Sequence, residues 1–311
     1  MSDEIEALEA LQNSEAKWRL DRIEHFGLSV QVFHINVGEL VGLIDQREHP
    51  TNALPLRSRE RSFERYRFSL MLIAKLHNFV SAAKSLVDHA HRFRDQLESA
   101  VFKKRYNRMA AECFRESPLV GFINDLRQYA IHCEVLPMSV YEEWSPSPRF
   151  EVCLPRDYLA SKKDRWHAPA KRYLETAPER IALRPVVVEY VKQIDRFYDE
   201  VKALLREEHA DDLREVETLE KAYRAARTPR LVEGLRECMR RVEAGKQPPN
   251  NVPSFYLAID TVFRLKSSCP SDEESSLAIL EELCRRYELP SELVDSYRKA
   301  IRMHYGIHAS G

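Results

Sequence analysis

Arg127 and His132 stand five residues apart in the stretch LRQYAIHCEVLP, 126–137. An arginine holds a phosphate through a planar fork of N–H donors, and a histidine moves protons near neutral pH. Together they supply what metal-independent RNA cleavage needs. The ribose 2′-OH is the nucleophile, the histidine is the acid or base, and the arginine balances the charge of the phosphorane. The spacing alone selects little. Arg19/His25, Arg298/His304 and Arg302/His308 fit the same loose pattern in a chain with 11 histidines. An arginine and a histidine at a helix end also commonly cap carbonyls or bond to water.

The elements around the pair separate it from the others. Ser117 and Pro118 form a helix start, with a serine N-cap and a proline at the first helical position. Leu119, Phe122, Ile123, Leu126 and Ala130 then repeat at helical spacing, and Pro137 keeps the helix from running much past His132. At 100° per residue, positions five apart point ~140° apart, so both side chains flank one seam. The helix C-terminus favours a protonated histidine.

FINDLRQYAIH, 122–132, resembles the signature helix of the HEPN superfamily, whose motif is an arginine, a polar residue and then a histidine after four to six positions. Gln128 is the polar residue here, and Asp125 also resembles many members. The upstream stretch LHNFVSAAKSLVDHAHRF, 76–93, is similar to the long first helix of such bundles, with Asn78 and the pair Asp88 and His89. The resemblance covers roughly 60–205. It implies a small α-helical bundle and a metal-independent ribonuclease acting in phage defence or as a toxin. One histidine cannot easily be base and acid at once; the resemblance implies a homodimer that joins two Arg127/His132 pairs. His132 would be the acid/base and Arg127 the phosphate ligand. Asp125 and Gln128 would orient them, with Asn78, Asp88 and His89 in support. RNA, a second copy and an antitoxin or regulatory protein are the implied partners.

Other residues make weaker sites. His89 and His91 sit two apart on a helix and point away from each other, a poor chelate. No metal and no cofactor are expected. Arg57, Arg59 and Arg61, and Lys103, Lys104 and Arg105, are local basic patches able to track an RNA backbone. Glu60 and Glu64 dilute the first, and a solvated helix face is the plainer reading of both. There is no Gly-rich phosphate loop, nucleophile elbow or zinc-protease motif.

The bulk numbers bound the rest. With 44% hydrophobic and 31% charged residues, the 311-residue chain has the composition of a folded globular protein. Its 8 glycines, well under the usual ~7%, favour helices over tight turns. A formal charge of -1 gives no general affinity for nucleic acid. Six cysteines match no zinc or disulfide framework. The acidic N-terminus has no apolar signal region, and no apolar run approaches the ~18 residues needed to span a membrane. A cytoplasmic location without membrane contact is the expectation.

Periodicity predicts one long helix through Leu8, Trp18, Phe26, Phe33, Leu40 and Ile44, ended by Pro50 and Pro55. Further helices are predicted from about 60 to 99, from 101 to 115, and from about 185 to 227. Residues 229 onward are helical again, interrupted by the loop 245–253. RFEVCLP, 149–155, alternates and predicts a strand of a short hairpin. RWHAPAKRYLETAP reads as a short helix. The expected fold is therefore all-α: a HEPN-like bundle at 60–205 with a long N-terminal helix on it, a small β-hairpin insertion and a helical C-terminal extension. The domains are 1–205 and 206–311. The expected function is a metal-independent endoribonuclease; the alternative is a non-catalytic helical module that binds RNA or protein.

Overall fold

The computed structural model describes residues 2–97, 99–249 and 251–308. The His308 ring of the Arg302/His308 pair lies outside the described residues. In chain order come α1 (Ser2–Gln12), α2 (Glu15–Glu48), the single turn α3 (Pro50–Ala53), α4 (Ser62–Gln96), α5 (Ala100–Ala110) and α6 (Pro118–His132). A hairpin of β1 (Ser139–Glu143) and β2 (Arg149–Pro155) leads to α7 (Arg156–Ser161), α8 (Ala168–Thr176) and β3 (Arg180–Ala182). Then follow α9 (Leu183–Glu208), α10 (Ala210–Glu243), α11 (Asn251–Phe255), α12 (Ile259–Ser268), α13 (Asp272–Arg286) and α14 (Ser291–His308). The chain is all-α with a small antiparallel sheet, ordered β1-β2-β3.

Two compact units form, Asp21–Ala210 and Met1–Leu20 with Asp211–Gly311. This differs from the boundary at 205/206 and from an N-terminal helix packed wholly on the bundle. The helix breaks after Gln12, and Ser14 starts it again by accepting the Lys17 N–H at 3.2 Å. Its beginning is held by the C-terminal unit. Ser14 donates to Glu215 at 2.8 Å, Arg19 pairs with Asp212 at 2.7 Å, and Leu11 and Ala16 bury against Val216. The predicted helix 185–227 is likewise two helices. It breaks at His209, whose φ of -107° and ψ of 26° leave the helical region. Helix α10 then continues past the predicted end at 227, through Pro229, to Glu243. The predicted loop 245–253 is shorter than expected, because α11 begins at Asn251.

In the unit Asp21–Ala210, α2 and α4 run antiparallel. Lys75 bonds Glu39 at 2.6 Å and Ser29 bonds His89 at 2.8 Å, so residues late in one helix meet residues early in the other. Phe33, Phe79 and Tyr190 pack their rings between α2, α4 and α9, with centroids 5.9–6.2 Å apart. Such contacts add about 0.5–1.5 kcal/mol per aromatic pair beyond the burial itself. By length and composition, Glu15–Glu48 and Arg59–Gln96 are each apolar enough to cross a membrane. This differs from the expectation that no apolar run approaches a membrane span: polar residues such as Glu39 and Lys75 break the runs, while the average over 18 residues stays apolar. One side of each helix is core; Leu28, Val32 and Ile35 on α2 stay exposed.

The strand 149–155 forms as its alternation predicts, with Tyr141 opposite Glu151 across the hairpin. The third strand was not predicted. It is only three residues long, too short to show a period, and exists through pairing of Leu154 with Ile181. The C-terminal unit has its own core, built around Leu231, Leu235, Ile279, Leu283, Tyr297 and Ile301.

Candidate functional site

Helix α6 opens as its sequence predicts. The Ser117 hydroxyl accepts the Val120 N–H at 3.3 Å, and also donates to Gln193 at 2.8 Å, which ties the start of α6 to α9. Such a cap is worth ~1 kcal/mol. Leu119, Phe122, Ile123, Leu126 and Tyr129 are buried. Trp166 stacks on both Phe122 (5.8 Å) and Tyr129 (5.6 Å), two aromatics one heptad apart on α6, and its indole N–H donates to the Leu159 carbonyl at 2.8 Å. Phe122 stacks on Tyr173 of α8 at 4.5 Å. Gly121 permits this closeness; a Cβ there would sit 2.4 Å from the Pro169 Cβ.

Fixing Trp166 against α6 fixes the next residue. The His167 backbone N–H donates to one Asp125 carboxylate oxygen at 2.6 Å, and its ring Nδ1 meets the other at 2.8 Å. The carboxylate is therefore the N-terminal cap of α8. An ionised carboxylate only accepts, so against it Nδ1 is the donor, and in the neutral ring Nε2 is then the free acceptor. The Asp125 side chain is 9% exposed and the His167 side chain 82%. A buried acid thus holds an imidazole that faces solvent.

The predicted site residues divide accordingly. His132 is exposed at the last position of α6, with no hydrogen bond or ion pair among the described residues. Arg127 is half-buried, and among the described residues it has no ion pair and its buried Nε has no partner. Gln128 is exposed between them. Asp125, Gln128 and His132 are spaced i, i+3, i+7, so they share one strip of the helix. Asp125, expected to orient Arg127 and His132, is instead committed to His167. Sequence reasoning missed His167; its one local signal was the position before Ala-Pro, where a helix begins.

The end of α6 is held from below. Glu134 accepts hydrogen bonds from the hydroxyls of Tyr129 and Tyr158, the latter at 2.8 Å, and pairs with Lys162 at 3.5 Å. These bonds, the Tyr129 one first, lower the Glu134 carboxyl below its ordinary range. Burial followed by that same bond raises the Tyr129 hydroxyl well above its ordinary value.

The supporting residues on α4 are engaged elsewhere. Asp88 pairs with Lys84, His89 bonds Ser29, and Asn78 is exposed; none of these bonds reaches His132. The basic patches are partly neutralised. Arg57 pairs with Glu142 at 2.8 Å and lies over Trp144, Arg61 pairs with Glu64 at 3.6 Å, and Arg105 with Glu207 at 2.9 Å. Arg59, Lys103 and Lys104 keep no recorded carboxylate partner among the described residues. Among those residues no group of three His, Cys, Asp or Glu side chains is placed to hold a metal ion.

No protein-family model, curated protein or solved structure matches this chain.

Proposed function

We propose that the bundle is a metal-independent endoribonuclease of the HEPN type. Arg127 binds the scissile phosphate, and His132 and His167 exchange the protons. The observation that carries this reading is a pair of exposed histidines served by one strip of α6, beside an arginine with no carboxylate partner. One imidazole removes the 2′-OH proton as the 2′-oxygen attacks phosphorus. The P–O5′ bond breaks, and the other imidazole, as imidazolium, protonates the departing 5′-oxygen. The products are a 2′,3′-cyclic phosphate and a 5′-hydroxyl. The Arg127 guanidinium balances the charge of the phosphorane between these steps. Asp125 holds His167 in the tautomer whose Nε2 is free to accept the proton, which assigns His167 the base and His132 the acid. A homodimer along α6 brings together the groups of two chains where one chain's pair does not span the phosphate.

The test is cleavage of RNA in EDTA by the wild type and by Arg127→Ala, His132→Ala and His167→Ala, each shown to be folded. Cleavage lost in the first two, with a 2′,3′-cyclic phosphate in the wild-type product, supports the reading. Equal cleavage by all four proteins sinks it. His167→Ala separates the versions. Loss of cleavage there supports the two-histidine arrangement; full cleavage leaves the second proton to His132 of a second copy. Activity regained on mixing inactive His132→Ala and His167→Ala chains places the shared site across a dimer.

A further inference from the structure

On the N-terminal half of α6 a second site opens, to which neither Arg127, His132 nor His167 contributes. It is a cleft of about 640 Å³ between α4, α5, α6 and α9, within the unit Asp21–Ala210. That size falls in the range of small-molecule sites, roughly 300–1,000 Å³. Most of its lining is apolar, with Phe114 as its aromatic wall. Phe114 and Arg115 reach the cleft from a π-helical turn, Ala111–Arg115, that interrupts the regular helix after α5. Such turns are rare and recur at functional sites.

The polar lining is uneven in a way that points to a ligand. Tyr190 is fully buried, and its hydroxyl has no hydrogen-bond partner among the described residues. Asn124 presents a buried side-chain oxygen that is equally unpartnered. Each such group costs about 1–3 kcal/mol when it loses water and gains nothing. Both atoms belong to residues that line the cleft, and a molecule bound there that pairs them would offset the cost. Around them are basic side chains and no acids: His91, Arg94 and Arg115 line the cleft, and no carboxylate does among the described residues. Arg94 is already held by Asp95 and by Asn107. Among the described residues His91 and Arg115 have no hydrogen-bond or ion-pair partner, and both are exposed.

We propose that this cleft binds a small organic anion whose planar ring carries a hydrogen-bond donor. The ring lies along Phe114 and the neighbouring apolar wall. Its N–H group donates to the Asn124 oxygen, and a ring acceptor takes the Tyr190 hydroxyl proton. The phosphate or carboxylate is held by the Arg115 fork and by His91. This inference does not rest on the nuclease reading, because it uses none of that site's residues.

Adenosine 5′-monophosphate is the probe, since it carries an amino group on a planar ring and a phosphate. Calorimetric titration and thermal melting of the full chain are run with it. Purine riboside 5′-monophosphate lacks the amino group and any other N–H on the ring, adenosine lacks the anion, and 6-aminonicotinate carries a carboxylate instead of the phosphate while keeping an amino group and a ring nitrogen acceptor. The expected result is saturable binding of adenosine 5′-monophosphate or of 6-aminonicotinate. Removing either the ring donor or the anion weakens binding about tenfold, the loss of one hydrogen bond to a buried partner. Asn124→Leu and Tyr190→Phe carry the second arm. Each removes an orphaned polar atom at nearly constant shape, so each melts at or above the wild-type temperature while binding at least about tenfold more weakly. Arg115→Glu reduces binding and leaves the melting temperature of the free protein unchanged. Absence of binding by both amino-bearing anions at millimolar concentration overturns the proposal. So does binding that Asn124→Leu, Tyr190→Phe and Arg115→Glu all leave unchanged.

Discussion

Asp125 and His167 lie 42 positions apart in the chain, and the carboxylate of one accepts the backbone N–H of the other at 2.6 Å and lies 2.8 Å from its ring Nδ1. The acid is buried and the imidazole is out in solvent, so a single side chain caps α8 and presents a histidine. The two roles come apart under substitution. Asp125→Ala removes a cap and leaves a helix start exposed to loss of its partner, a cost of about 1–3 kcal/mol. His167→Ala keeps the backbone N–H bond and loses only the ring's bond to the same carboxylate, a smaller cost of about 0.5–1.5 kcal/mol. Urea denaturation of the two variants measures the difference; equal destabilisation would show that the ring, not the cap, is the stabilising element.

Gly121 sets how closely α6 approaches α8. A methyl group there meets the Pro169 Cβ at 2.4 Å, with the Ala170 backbone nitrogen at 3.1 Å, and neither neighbour is a flexible side-chain tip. Gly121→Ala is expected to cost about 1–3 kcal/mol through overpacking, despite alanine's better helix propensity. A thermal melt at or above the wild-type temperature would mean that the helices separate freely.

Trp166 is held between Phe122 and Tyr129, and its indole bonds to a buried carbonyl. Phe122→Ala should cost ~3–5 kcal/mol. It should also weaken the near-ultraviolet circular dichroism band that the stacked indole contributes. An unchanged band in the folded variant would show that Tyr129 alone fixes the ring.

Glu134 makes acid stability testable. Its carboxylate is favoured in the fold by hydrogen bonds from Tyr129 and Tyr158, with Lys162 adding a smaller attraction. The folded value is thus lower than the ordinary 4.5. The unfolded chain binds the proton first, so the stabilisation is fully present above the ordinary value and is lost as pH falls towards the folded one. Denaturation midpoints across the acid range should show a shallower decline for Glu134→Gln than for the wild type. Identical profiles would assign the acid limb to other carboxylates.

What the sequence determined by itself was local. The start at Ser117–Pro118, the apolar stripe through Leu126 and the end at His132 are set by residues a few positions apart, through capping and the 3.6-residue period. The strand 149–155 and the all-α class were legible for the same reason. The folded chain decided what distant segments share. Nothing near Asp125 names His167 as its partner; that follows from Trp166 stacking on two aromatics of α6, which carries the next residue to the carboxylate. The break at His209, and the capture of the first helix by Val216, Asp212 and Glu215, likewise depend on which surfaces meet. Periodicity shows that a helix has a buried face, whereas the identity of the partner is fixed only when side chains of both elements fill the same space.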